Sequence, residues 1–161
     1  MKEEITSRIA ALRDRMRGAG IDATIVPQTD PHMGEYLAEH WQVRRWLSGF
    51  TGSAGSLVVT LDKAYVWADS RYWLQAAAQL EGTPIGVMED GKPQTPEIID
   101  FLCETLPAGA TVGVDGAVFS MTEARSMESK LEHCGKKLRV DFDPVAGLWM
   151  DRPALPSSEV F

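Results

Sequence analysis

Six short, largely apolar runs limit this chain more than anything else in it. They are Ala23 to Val26, Leu57 to Leu61, Ala64 to Ala68, Ile85 to Met88, Thr111 to Val114 and Leu138 to Val140. Each has the length of a buried strand and none that of a helix. Pro27 stops the first, because proline has no N–H to give to a sheet. Asp62-Lys63 separates the second from the third and predicts a two-residue β-hairpin. Later runs alternate with helical stretches, as parallel strands joined by crossovers do. The pattern predicts an α/β fold of three layers, a mixed sheet of about six strands with helices on both faces.

Helical signals fill the gaps. Ile5, Ile9, Leu12 and Met16 form one apolar stripe, which predicts a helix over 3–18 ended by Gly18 and Gly20. A polar loop with Asp30, His32 and Glu35 precedes a short helix over 41–48. Ser70 is placed to cap a helix over 71–81, and Thr95 and Pro96 stand as N-cap and N1 of a helix through Thr105. Ser120-Met121-Thr122-Glu123 is a capping box. It opens a helix whose Ala124, Met127, Leu131 and Cys134 share a face, ended by Gly135. Asp143-Pro144 predicts a last short helix to about Met150.

At 161 residues the chain makes one ordinary domain. We expect it to occupy 1–151, with 152–161, rich in Pro and Ser, as a linker. A net charge of −7 and the lack of a basic stripe argue against nucleic acid. No run approaches the roughly 18 apolar residues of a membrane span, and the charged start, Met1-Lys2-Glu3-Glu4, is unlike a signal peptide. The expected location is cytoplasmic. Cys103 and Cys134 fall on apolar faces of predicted helices and read as buried thiols rather than a disulfide.

Motifs for catalysis are sparse. His32, His40 and His133 have no metal-ligand spacing, and there is no Cys-x-x-Cys. Asp30 and His32 read as turn residues, or as a pair touching a cation if the loop folds back. Gly52-Ser53-Ala54-Gly55-Ser56 lacks the lysine of a phosphate loop and reads as a chain reversal, as does Gly113-Val114-Asp115-Gly116. Trp41, Trp46, Trp67, Trp73 and Trp149 read as core, or as an aromatic wall at an interface. The sharpest candidate is Arg71. It follows a strand that ends at Asp69-Ser70, beside the crevice at a strand's carboxyl end, where its planar fork of donors suits a carboxylate or a peptide carbonyl. The alternative is a local surface ion pair with Asp69.

Five segments, in order, resemble the cytosolic three-domain Xaa-Pro aminopeptidases (aminopeptidase P). Trp67-Ala68-Asp69-Ser70-Arg71-Tyr72-Trp73-Leu74-Gln75-Ala76-Ala77 is similar to that family's Trp-x-Asp-Gly-Arg-Tyr-x-x-Gln-Ala segment. Asp30-Pro31-His32 with Glu35-Tyr36, and Arg44-Arg45 with Ser48-Gly49-Phe50-Thr51-Gly52-Ser53-Ala54-Gly55, resemble two earlier ones. Gly113-Val114-Asp115 and Leu148-Trp149-Met150-Asp151-Arg152-Pro153 resemble two later ones. The resemblance implies the creatinase/prolidase N-terminal domain, of ribonuclease H-like architecture, as the first of three domains. It implies that the whole enzyme removes the N-terminal residue from peptides with proline second. The chemistry would use two divalent metals, usually manganese, held by a third domain outside these residues, so this stretch would carry no catalytic residue, metal ligand or cofactor of its own. Arg71 matches the one first-domain arginine that contacts the substrate, and the parent would be a homodimer. Ser70 departs from the pattern, where Gly is common. A prolidase or creatinase relative, and a stand-alone binding module of the same fold, are the alternatives.

Overall fold

The computed structural model describes residues 2–33 and 37–155. Glu35 and Tyr36, and the linker from Pro156 onward, lie outside the described residues. The helices are α1 (Lys2–Ala19), α2 (Val43–Ser48), α3 (Trp73–Leu80), α4 (Ile98–Thr105) and α5 (Met121–His133). The strands are β1 (Ala23–Val26), β2 (Ser56–Thr60), β3 (Ala64–Ala68), β4 (Gly86–Glu89), β5 (Thr111–Gly113) and β6 (Lys137–Arg139).

They form one mixed sheet in the order β4-β3-β2-β1-β5-β6. β2 is antiparallel to both neighbours, and the other pairings are parallel. All strands but β2 therefore end at one edge. β1 is buried along its whole length, as a strand covered on both faces must be. One face packs under α1, α2 and α3 around Ile5, Ile9, Leu12, Met16, Phe50 and Val66. The other packs under α4 and α5 around Ile25, Val58, Trp67, Leu102 and Leu131. The expected three-layer architecture is present.

Several boundaries differ from expectation, each for a local reason. The hairpin turns on Leu61-Asp62, one residue early. Thr60 N–H donates to the Lys63 carbonyl, and the Thr60 hydroxyl accepts from Lys63 N–H at 2.9 Å. The helix predicted at 41–48 is split at Gln42, with a single 3-10 turn over Glu39–Trp41 before α2. Ser70 caps nothing, because Asp69 takes over the turn and α3 starts only at Trp73. Thr95 and Pro96 lie outside α4, whose N-cap is Glu97. The Pro96 carbonyl accepts instead from the Trp67 indole N–H at 2.9 Å, which fixes the approach to the helix. Residues 143–150 form successive turns rather than a helix, interrupted by Gly147 at φ +78°, a left-handed conformation that glycine adopts without strain.

The reading of the cysteines was wrong. Cys103 on α4 and Cys134 at the end of α5 form a disulfide, with Cα atoms 5.8 Å apart. Each helix by itself shows only a cysteine on its apolar face. Packing α4 and α5 side by side on one face of the sheet turns those faces toward each other, within bridging range.

Candidate functional site

The corner after β3 is built by Asp69. Its Oδ1 accepts the Arg71 N–H at 3.0 Å, and its carbonyl accepts the Tyr72 N–H at 2.9 Å. This is an Asx-type turn, which aspartate supplies from its own side chain. The turn sets Arg71 at the sheet edge where β1, β3 and β4 end. Arg71 Nε and Nη2 donate to Asp69 Oδ1 and Oδ2 at 3.1 and 2.9 Å, and its side chain is 67% exposed. These bonds hold the Asp69 carboxyl below the ordinary carboxylate range. The local ion pair with Asp69 is therefore present, and it leaves the exposed guanidinium at the carboxyl edge of the sheet.

Tyr72 supports the guanidinium from below, with its ring 5.1 Å from Arg71 Cζ. The tyrosine is itself fixed, its hydroxyl bonded to Ser53 Oγ and its ring edge-on to Phe50 at 6.2 Å. Trp73 donates its indole N–H to the Ala68 carbonyl at 2.7 Å. Gln75 and Gln79 both donate to Thr51 Oγ1, at 3.0 and 2.9 Å. The small-residue loop at 51–55 is therefore clamped against α3.

What organises that loop is Arg44, a residue the sequence reading quoted but gave no role. It is fully buried. Its Nη1 donates to the Ala54 and Gly55 carbonyls, each at 2.8 Å, and its Nη2 to the Gly52 carbonyl. The guanidinium lies 4.6 Å from the Phe50 ring centre. Burial lowers its pKa to about 10, which leaves it a cation at neutral pH. Gly55 adopts φ +106°, and a Cβ there would run into the Trp67 carbonyl. The Gly-Ser loop is thus a chain reversal, as expected, but one wound around an arginine. An arginine eight residues before the glycines was the only available signal.

The other candidates do not converge. Asp30 Oδ1 accepts from His32 N–H in a turn. His40 Nδ1 sits 2.7 Å from the Pro153 carbonyl, and His133 Nδ1 3.0 Å from the Ser129 carbonyl. Gly113-Val114-Asp115-Gly116 is not the expected turn. Gly113 ends β5, and Val114 and Gly116 donate their N–H groups to the Arg139 and Val140 carbonyls alongside β6. Asp115 caps a single 3-10 turn over Gly116–Val118, its Oδ1 accepting from Ala117 N–H. Among the described residues no group of three or more His, Cys, Asp or Glu side chains could hold a metal ion. Among them, too, no helix is long and apolar enough to cross a membrane. Trp67 is core. Trp46 and Trp149 stack at 5.3 Å, with Arg8 4.3 Å over Trp46. Beside them Arg152 donates to the His40 carbonyl at 2.8 Å and to Asp143 Oδ2 at 3.1 Å, which fastens the start of the expected linker to the domain.

Fold and corner together define a three-layer α/β domain that presents an arginine at the carboxyl edge of its sheet. The chain belongs to the creatinase/prolidase N-terminal domain family, whose model matches residues 8–147. It is 37% identical to rat Xaa-Pro aminopeptidase 2 over 158 residues, covering 97% of this chain and 23% of that protein. With Arabidopsis thaliana aminopeptidase P2 it shares 39% identity over 146 residues, covering 89% of this chain and 20% of the relative. An X-prolyl aminopeptidase from Caenorhabditis elegans, described as a cytosolic enzyme with a di-nuclear active site, superposes with a TM-score of 0.87. That match is 30% identical and covers 94% of this chain and 26% of the other. The chain spans about a quarter of the length of the relatives it matches.

Proposed function

We propose that this chain is the non-catalytic N-terminal domain of a cytoplasmic Xaa-Pro aminopeptidase, and that Arg71 positions the peptide. The parent enzyme removes the N-terminal residue from peptides with proline second. It works with two divalent metals, manganese by preference, held on another domain, and it acts as a homodimer. The observation that carries this reading is the placement of Arg71. A residue quoted for the family resemblance stands at the carboxyl edge of the sheet, backed by Tyr72 and by a loop built around Arg44. The kinship to aminopeptidases along nearly the whole chain supports it.

The corner suits binding rather than bond-breaking. An arginine stays protonated through the working pH range and cannot act as a general base. Its fork can donate to a peptide carbonyl or a carboxylate in fixed orientation. Surface ion pairs hold their partners weakly, so a substrate oxygen can share the guanidinium with Asp69 or displace it. Arg71→Ala in the full-length enzyme should lower kcat/KM for Xaa-Pro peptides roughly ten- to a hundredfold, the worth of a charged hydrogen bond, with metal content unchanged. Arg71→Lys should recover little, since lysine keeps the charge and loses the fork. An unaltered kcat/KM across peptides of several lengths removes Arg71 from the site.

A further inference from the structure

The carboxyl edge of the sheet carries a second feature, which Arg71 does not use. On the face covered by α4 and α5 there is an open groove of about 440 Å³. Trp67, Phe119 and Met127 supply an apolar floor, and Asp90, Glu97 and Glu123 stand around it. Lysine and arginine are absent from the described residues that line it. Lys92, the cation nearest to Asp90 in sequence, is engaged on the opposite face, paired with Glu89 and 4.8 Å over the Trp73 ring.

The charge balance is decided by magnitudes. The first turns of α4 and α5 open onto the groove through Ile98, Ile99 and Glu123. Each helix start is equivalent to roughly half a positive charge, so the two together offset about one of three carboxylates. Glu123 spends part of its capacity on the Ser120 N–H, at 3.3 Å. The groove stays net negative above an apolar floor. That combination suits a long aliphatic stem ending in a cation, which lays its methylenes on apolar surface and keeps its head among charges and water.

The groove and the Arg71 corner share parts. Trp67 precedes Arg71 by four residues on the same strand end. Gly55 lines the groove, while Ser53 of the same loop holds the Tyr72 hydroxyl. Asp90 N–H donates to the Ala68 carbonyl at 2.9 Å, which ties the acidic rim to the base of the corner. The corner and the rim thus border the same edge of the sheet, with Tyr72 packed on one face and Trp67 on the other. In a reaction at the first peptide bond, a domain that supplies no reacting group meets the remainder of the peptide. We propose that the groove receives a lysine or arginine side chain of the substrate, downstream of the proline, so that the parent enzyme favours basic peptides. This rests on the function proposed above.

The test uses the full-length enzyme and pentapeptides beginning Ala-Pro, with lysine, norleucine or glutamate at position three, four or five and alanine elsewhere. At one position kcat/KM should fall in the order lysine, norleucine, glutamate. Lysine should exceed norleucine roughly fivefold at low ionic strength, the scale of a partly exposed charge pair. The lysine-to-norleucine ratio should drop toward one in raised salt and in the Asp90→Asn, Glu97→Gln double variant. Because the ratio is read within each variant, a general loss of activity does not affect it. Equal rates for lysine and norleucine at every position, or a preference that survives the double variant, overturn the groove as a subsite while the peptidase reading stands. Failure to cleave any of these peptides overturns both.

Discussion

Arg44 is the residue on which the corner depends, and its environment predicts its behaviour. Three loop carbonyls converge on one buried guanidinium. Removing the cation leaves those carbonyls without their donor, at a cost of roughly 2–4 kcal/mol after allowing for the desolvation that is also relieved. Arg44→Met should lower the urea midpoint accordingly and also weaken substrate use, since Ser53 and Tyr72 lose their anchor. A variant with unchanged stability would mean that the loop holds its shape without the arginine. Asp115 gives a prediction of opposite sign. Burial, with a smaller contribution from Asp143, raises its pKa against the hydrogen bond from Ala117 N–H and the charge of Arg152. The folded state therefore holds the proton to higher pH than the unfolded chain does. Its contribution to stability is present below the unfolded value and is lost as pH rises through the folded one. Asp115→Asn keeps an acceptor for Ala117 and removes the buried charge. It should match or exceed the wild type at neutral pH, with the gap closing toward the acid range, as followed by denaturation at several pH values. A variant less stable at neutral pH than at acid pH, relative to wild type, would contradict this.

Among the elements, those whose signals are local were legible and those set by neighbours were not. α5 starts where its capping box says, because Ser120 and Glu123 satisfy each other's backbone donors within one turn. α1 follows its stripe, since Ile5, Ile9, Leu12 and Met16 all reach the core. The starts of α3 and α4 were misplaced, because side-chain and backbone groups elsewhere decide them: the Asp69 carboxylate in one case, the Trp67 indole in the other. The disulfide is the same lesson at larger separation, 31 residues apart along the chain. Closing a loop of that length restricts the unfolded chain by about 3–4 kcal/mol in the chain-entropy account. A reductant, or the paired substitution of Cys103 and Cys134 by serine, should lower thermal stability by several degrees. The oxidised wild type alone should show the corresponding mobility shift on a non-reducing gel. A melting temperature indifferent to reductant would show that α4 and α5 hold each other by packing alone.

For the whole molecule the sheet's directions matter most. Five strands end at one edge, and Arg71, the loop around Arg44 and the acidic groove are gathered there. That is where ligands of open α/β sheets are met. The 161-residue chain, purified by itself, should hydrolyse no Xaa-Pro peptide with or without manganese, and should still bind such peptides weakly enough to need millimolar concentrations for saturation. Turnover by the pure chain would place reacting groups on it and overturn the positioning role proposed for it.

The sequence by itself determined the layers, the six strands, the helix stripes and the candidacy of Arg71. Each of these is written in a period of side chains or in a motif a few residues long, and burial of apolar surface enforces such patterns wherever they occur. The tertiary structure alone decided that Cys103 meets Cys134, that Arg44 gathers three carbonyls, and that three carboxylates surround one apolar floor. Those arrangements join residues from separate elements, and their geometry exists only once the sheet has set which edges and faces lie together.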